Sequence, residues 1–487
     1  MAEPIRIHPQ NSKILEYKGK PTVLVCATEH YGAVMNRPFD MEAYLKDCKD
    51  KNQNYTRLFL LFRELQTHDN PYSPCKPESS DYVSPFKRTG PGLACDKLPK
   101  YDLEVWNDEF FERLHRFVKL AEENDVIVEV VLFSCSYRQH LFELIPICAQ
   151  NNINGTEDIN FNAALTMKPK KLFEYQKKYV TKVVTELNKY PNFFFEICNE
   201  PVWLHPEAAT KDEIDAWQFE LVKLIRNVEK DMPNKHLVAI EEAVGLPNWD
   251  KVVLGELSDY YKSDADIINV HPGMAMYKGR TYSMGEFMHK GLAIEDYIDF
   301  CLDTYYGEKK MLNMDEDNVA SAYRDYDCWT IHRKRGWTAV MCGAHYDYID
   351  FSIQTALPAG TPESRKHIRT WFKYLQNYIG TMDMLGCKPL RNCVTKTLDH
   401  TKACVMGVEG KEYHAYIVDI RDLTDPNYNT AISGKVTLDI ADGTYNVTIY
   451  SPEFGQSSVA MTVKGGKGTV IDLPAFKHDT VIRFVKA

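Results

Sequence analysis

Short apolar runs of strand length alternate along this chain with longer segments in which apolar residues recur three and four positions apart. The short runs are "TVLVCA" (22–27), "YTRLFLL" (55–61), "VIVEVVLF" (126–133), "FFFEIC" (193–198), "HLVAIE" (236–241), "DIINVH" (266–271), "KMLNMD" (310–315) and "TAVMCG" (338–343). Between them lie segments such as "DEFFERLHRFVKLAEEN" and "KKLFEYQKKYVTKVVTELNKY", which carry the period of amphipathic helices. Strand followed by helix, eight times over, predicts an α/β fold, a (β/α)8 TIM barrel with a closed parallel sheet. An open doubly wound sheet is the competing topology. No glycine-rich turn follows the first run, however, as nucleotide binding there would require.

"TPESRKHIRTWFKYLQNYIGTMD" reads as the closing helix of the barrel, and from about Leu385 the texture changes. Short runs of alternating apolar and polar residues, separated by "ADG", "PEFG", "KGGKG" and "KHD", predict an antiparallel β-sandwich. The expected division is a catalytic barrel over 1–384 and a sandwich over 385–487. Two connections, 62–106 and 134–169, are longer than a barrel needs. Long loops at the carboxyl ends of barrel strands build sites.

Composition narrows the partners. The 487 residues carry 58 basic and 68 acidic side chains, a net charge of −10, which gives no electrostatic reason to expect nucleic acid or an anionic membrane. No apolar run approaches the ~20 residues of a membrane span, and "MAEPIRIHPQNSK" lacks the basic start and apolar core of a signal peptide. The thirteen cysteines are odd in number, without CxxC spacing, and several sit in apolar runs. The expected location is the cytoplasm, or outside the cell if a leader once preceded this sequence.

Active sites of such barrels lie at the carboxyl ends of the strands. That filter returns Glu29 and His30 after the first run, Arg57 in the second, Asn199 and Glu200 after the fourth, and Glu241 and Glu242 at the fifth. It then returns His271 at the sixth, Asp315, Glu316 and Asp317 at the seventh, and His345 and Asp347 after the eighth. Glu200 and Glu316 each follow a buried run directly, on strands that face each other across the mouth. Paired carboxyls are what glycoside hydrolysis needs, one to protonate the leaving oxygen and one to attack. The bland alternative is a Glu favoured at a helix start by the helix dipole.

These residues carry a resemblance. "FFFEICNEP" is similar to the strand-four signature of the clan A glycoside hydrolases, the cellulase-like (β/α)8 enzymes. The resemblance implies that Glu200 is the acid/base and that Asn199 binds the sugar 2-hydroxyl. "KKMLNMDEDNV" resembles the strand-seven ending of the same clan, in the form of a subgroup with a C-terminal β-sandwich, and implies that Glu316 is the nucleophile. Asp315 stands where that subgroup has Asn, which leaves Asp315 and Asp317 as rivals for the position facing substrate. "NYTRLFL" is similar to the strand-two element whose Arg, here Arg57, holds the nucleophile ionised. "NVHP" is similar to the His-x-Tyr of strand six, which yields His271. Gly273 occupies the Tyr position, with Tyr277 a substitute from the loop. The implied activity is a retaining glycosidase using double displacement on a β-linked glycoside, with no cofactor.

Trp203 and Trp337 are candidate sugar platforms, with core packing as the competing explanation. Glu29, His30 and His345 are candidate substrate contacts, with structural hydrogen bonding as the alternative. A metallohydrolase cluster of His30, His271 and His345 with Glu29 and Asp347 is the weaker reading, because no HxH follows the first strand. The expected metal content is therefore none. The long loops suggest a pocket acting on oligosaccharide ends or small glycosides. A second functional class, a non-catalytic carbohydrate-binding or scaffold protein on a glycosidase barrel, is suggested by Asp315 and Gly273. Carbohydrate is the expected partner, without nucleic acid or membrane.

Overall fold

The computed structural model describes the chain except for residues 1–2, 29–32, 63–79, 244, 249–250, 254–259, 261–262, 273–292, 308, 318–325, 350–361 and 422–424. Eight strands form one sheet: β1 (Val25–Thr28), β2 (Tyr55–Phe59), β3 (Ile127–Ser134), β4 (Phe193–Asn199), β5 (Val238–Glu241), β6 (Ile267–Val270), β7 (Met311–Asp317) and β8 (His345–Ile349). The order is β1-β8-β7-β6-β5-β4-β3-β2, and every pairing is parallel. The two ends of this order, β1 and β2, are bridged by Asn54. Its side chain accepts from the Val25 N–H at 3.2 Å and donates to the Val23 carbonyl at 2.8 Å. This is the (β/α)8 barrel that the alternation predicts.

Helices α1 (Met41–Asp50), α2 (Asp108–Glu123), α3 (Lys170–Leu187), α4 (Lys211–Glu229), α5 (Ile294–Gly307), α6 (Tyr326–Met341) and α7 (Pro362–Ile379) flank the barrel. α2 shows why the periodicity was readable: it buries Phe110, Leu114, Phe117 and Ala121, a stripe three and four residues apart. β3 and β4 are buried at every residue, because barrel strands are covered on both faces. A small antiparallel sheet (Arg6–His8, Asn11–Tyr17, Lys20–Thr22) closes the amino-terminal end of the barrel, where the Ile5 N–H donates to the Pro191 carbonyl at 2.8 Å.

The eighth strand is not where the apolar run 338–343 puts it. Residues 338–341 are the last turn of α6, and the strand is His345–Ile349. The reason is burial. α6 lies between the barrel and the C-terminal sheets, so Thr338, Ala339, Val340 and Met341 are all buried together with Arg333, Lys334 and Arg335. A helix covered on both sides loses the amphipathic stripe that would distinguish it from a strand.

Beyond α7 the chain builds a six-stranded and a three-stranded antiparallel sheet, in keeping with a β-sandwich. Val436, Leu438, Ile471 and Leu473 of the smaller sheet pack with Ala415, Ile417, Val447 and Phe484 of the larger. The strand Glu412–Asp419 is buried throughout because its other face meets the barrel. There Trp337 stacks on Tyr416, with ring centroids 5.7 Å apart and 21° between planes. Among the described residues no helix is long and apolar enough to cross a membrane.

Candidate active site

Polar side chains fill the barrel axis at two levels. At the lower level Arg57 of β2 is fully buried. Its Nε lies 3.0 Å from Asp315 Oδ2 and donates to Glu196 Oε2 at 3.2 Å, and Nη2 donates to Asn199 Oδ1 at 2.9 Å. Nη1 donates to Glu316. Glu129 is 3.8 Å from Nε, takes a hydrogen bond from the Tyr55 hydroxyl, and accepts from Asn269 Nδ2 at 2.7 Å. Glu129, Glu196 and Asp315 each bring an oxygen within 4.8 Å of the others. One guanidinium does not balance that many buried carboxylates. Burial, then the charge of Asp315, pushes Glu129 well above its ordinary value, and burial raises Glu196 despite Arg57.

The upper level holds Glu200 and Glu316 with His271, Glu241 and Tyr137. Glu200 Oε1 is 3.0 Å from His271 Nδ1, and its second oxygen accepts from the Tyr137 hydroxyl. The Glu200 backbone N–H donates to Glu241 Oε2 at 2.6 Å, and His271 Nε2 is 3.3 Å from that same oxygen. One oxygen of Glu200, one of Glu316 and a ring nitrogen of His271 lie within 4.8 Å of one another.

Backbone geometry brings the two carboxyls together. Glu200 has φ +44° and Glu316 φ +49°, left-handed values that cost a non-glycine residue roughly 1–3 kcal/mol each. In β7 the register against β8 shifts between Met314 and Asp317. Asn313 and Asp315 point into the barrel, and simple alternation would send Glu316 outward to the helices. The irregularity turns Glu316 to the mouth and Asp317 outward, where Asp317 meets Arg335 at 2.8 Å and the Tyr346 hydroxyl at 3.0 Å. Of the three acids at this strand end, Glu316 is the one beside Glu200.

The electrostatics follow from burial and crowding. Burial opposes a charge on His271, but Glu241, Glu316 and Glu200 outweigh it and raise its pKa well above the usual 6.5. Burial and the neighbouring Glu200 push Glu316 up to about 8, against the pull of His271 and Arg57. Burial also works against charge on Glu200, yet the bonds from His271 and Tyr137 overcome it and hold its pKa below the ordinary value. Two carboxyls this close titrate as a unit.

The other sequence candidates scatter. Asn199 is at the site, accepting from Arg57 and donating from Nδ2 to the Tyr137 hydroxyl at 3.2 Å. Trp203 follows on the same loop, half-buried against the core. His345 is at the opposite end of the barrel. As the first residue of β8 it accepts from the Leu24 N–H at 2.8 Å and donates to the Lys13 carbonyl at 2.9 Å, and burial pushes it down to about 4. It therefore does not converge with His271 in a metal cluster. Trp337 belongs to the interface between α6 and the C-terminal sheet and is no sugar platform. Asp347 is buried within β8, raised well above its ordinary value by burial and then by Asp315. Glu29, His30 and Tyr277 lie outside the described residues.

Tyr137, at φ +58° in the loop after β3, is the neighbour of Glu200 that sequence reasoning missed. The lower acid layer was missed too, although a signal was available. Arg57, Glu129 and Glu196 are single charges inside otherwise apolar runs, and Arg57 pairs in register with Glu129. A cleft of about 490 Å³ lies between α5 and residues 390–394 and 402–405 of the C-terminal sheets, away from these carboxyls.

Comparison with known proteins identifies the fold. The sequence family described as a domain of unknown function, DUF6298, matches residues 79–162. No curated protein matches the chain in sequence. A glycoside hydrolase family 5 structure from Bacteroides vulgatus is 14% identical with TM-score 0.60, covering 99% of this chain and 93% of its own. A structure described as a putative glycoside hydrolase from the same organism is 11% identical with TM-score 0.63, over 100% of this chain and 83% of its own. An endo-1,4-β-mannanase from Rhizomucor miehei is 14% identical with TM-score 0.50, over 76% of this chain and 98% of its own. The fold is shared with these glycoside hydrolase structures, one of them of family 5, in keeping with the resemblance of the strand-end motifs.

Proposed function

We propose that this protein is a retaining glycoside hydrolase acting on a β-linked glycoside, with Glu316 as nucleophile and Glu200 as acid/base. The observation that carries the reading is the carboxyl pair: an oxygen of each lies within 4.8 Å of the other, at the carboxyl ends of β4 and β7. Retaining enzymes hold their carboxyls ~5–5.5 Å apart, whereas inverting ones need ~6.5–9.5 Å for an intervening water.

In this reading Glu316 attacks the anomeric carbon while Glu200 gives its proton to the leaving oxygen. Glu200 then takes a proton from the water that releases the sugar. The resting proton favours Glu316, so it crosses to Glu200 before the first step. Arg57 supplies the charge that holds Glu316 ionised once that has happened. Asn199, fixed by Arg57 and Tyr137, faces the 2-hydroxyl, and His271 steadies Glu200. Trp203 is the remaining candidate for stacking on a sugar face. The barrel over 1–384 would be the catalytic unit, with 385–487 a sandwich packed on α6.

A panel of chromogenic glycosides varied in sugar and anomer, β-mannosides included, identifies the substrate. On it Glu316→Ala should lose turnover by ~10⁴-fold or more. Glu200→Ala should lose ~10²–10⁴-fold on poor leaving groups and far less on activated aryl glycosides. The first product seen by NMR should keep the substrate's anomeric configuration. Small, equal losses in both variants would sink the assignment of Glu200 and Glu316, and no turnover of any glycoside by the unmutated chain would favour a carbohydrate-binding protein.

A further inference from the structure

A second cluster of chemically competent side chains lies far along the chain, where the segment leaving α7 meets the larger C-terminal sheet. Cys387 sits on that segment, and Glu412 and His414 are two apart on the strand Glu412–Asp419, so they share a face. All three are buried. Cys387 Sγ is 3.2 Å from Glu412 Oε1, His414 Nε2 is 3.6 Å from Glu412 Oε2, and the three donor atoms lie within 4.8 Å of one another.

The His414 ring supplies an independent observation. Its Nδ1 is engaged with the Tyr378 hydroxyl at 2.8 Å, which fixes the ring. Its Nε2 is buried and its approach to the Glu412 carboxylate, 3.6 Å, is too long for a good hydrogen bond. A thiol–carboxylate hydrogen bond alone accounts for Cys387 and Glu412 but leaves that nitrogen unsatisfied, a costly state for a buried polar atom.

We propose that Cys387, Glu412 and His414 bind a divalent cation of the zinc class, clipping the exit of the barrel to the C-terminal sheet. A thiolate, an imidazole and a carboxylate form a borderline-soft donor set that suits zinc. Bonds of ~2.3 Å to sulfur and ~2.0 Å to nitrogen and oxygen in a tetrahedron give ligand–ligand edges of roughly 3.3–3.5 Å. The observed separations, 3.2 Å from Cys387 Sγ to Glu412 Oε1 and 3.6 Å from His414 Nε2 to Glu412 Oε2, lie close to that range, and a small turn of the carboxylate brings one oxygen to the metal. The Tyr378 bond to Nδ1 is the kind of outer contact that fixes a ligating histidine, and the Asp383 N–H donates to Glu412 Oε1 at 2.7 Å. On binding, the metal replaces the Cys387 thiol proton, which leaves to solvent. Three protein ligands leave the fourth position to water. The site shares no residue with the barrel mouth and does not depend on the proposed activity.

The test is zinc content and zinc-edge X-ray absorption of the full chain, stripped with chelator and reloaded with zinc alone. The expected result is one equivalent, with one sulfur at ~2.3 Å and nitrogen or oxygen neighbours at ~2.0 Å. Cys387→Ser should remove the sulfur neighbour, and His414→Gln should remove the equivalent of zinc. Cys95→Ser, at an exposed thiol, should change neither. No bound zinc in the unmutated chain, a shell without sulfur, or a sulfur neighbour that survives Cys387→Ser overturns the proposal. The unmutated spectrum and His414→Gln keep it testable if Cys387→Ser does not fold.

Discussion

Arg57 and Arg333 are both fully buried, but they keep different company. Arg333, on α6, meets one carboxylate: Nε donates to Asp479 at 3.1 and 3.2 Å and Nη2 at 2.8 Å, with the Tyr416 hydroxyl donating to the same acid at 3.1 Å. The carboxylate takes bonds from both Nε and Nη2, and the pair joins the barrel to the sheet. Arg57 faces Glu129, Glu196, Asp315 and Glu316 together. Charge there is unmatched, and the surplus shows as raised carboxyl pKa values. A matched buried pair holds a structure in one arrangement, whereas an overloaded one places protons where chemistry can use them.

The largest test of this contrast removes each arginine. Arg57→Met should lower kcat/KM by ~10²–10³-fold or more, measured on the glycoside identified by the panel, because Glu316 loses its counter-charge and Asn199 its anchor. Arg333→Met should leave kcat nearly unchanged below its melting temperature and lower unfolding free energy by ~3–5 kcal/mol in denaturant titrations, since Asp479 is left buried and unpaired. Comparable losses of activity in the two variants would erase the distinction.

A second test uses pH. Glu316 titrates near 8 in the folded chain against an ordinary 4.5, so across that window the folded state holds the extra proton and stability falls as pH rises. Lys334, beside Arg333, is pushed by burial from 10.5 down to about 8. Between those values the unfolded chain holds the extra proton, and stability rises with pH. Melting curves should show Glu316→Gln flattening the fall and Lys334→Met flattening the rise, each by a few kcal/mol at most. Slopes unaffected by either variant would mean that these groups titrate elsewhere.

The smallest effect should come from Tyr137→Phe. It removes one donor to charged Glu200, so the Glu200 pKa rises and the corresponding limb of the kcat/KM profile moves to higher pH. The loss at optimum should be about tenfold, the worth of one hydrogen bond to a charged group. A tenfold loss without movement of the limb would assign Tyr137 to packing alone.

Much of the barrel was legible because its strands are covered on both faces and most of its helices on one, so period alone separates them. Legibility ended at α6, where cover on both sides removed the helical signature and displaced the eighth strand. The same error carried His345 to the wrong end of the barrel. Strand-end motifs named Glu200, Asn199 and His271, which the structure brings close together, since a strand's end is visible as the point where apolar residues stop. Tyr137 was not legible, because nothing in a loop sequence says which way a ring returns.

The sequence by itself determined the alternation of elements, the acids at the ends of β4 and β7, and the change of texture near Leu385. Only the tertiary structure decided which acid of Asp315-Glu316-Asp317 faces Glu200. That choice depends on a left-handed φ and a register shift in one strand, held by Arg57 on another and by Arg335 on α6. Side-chain direction in a strand follows local alternation until distant partners make the exception cheaper than the rule.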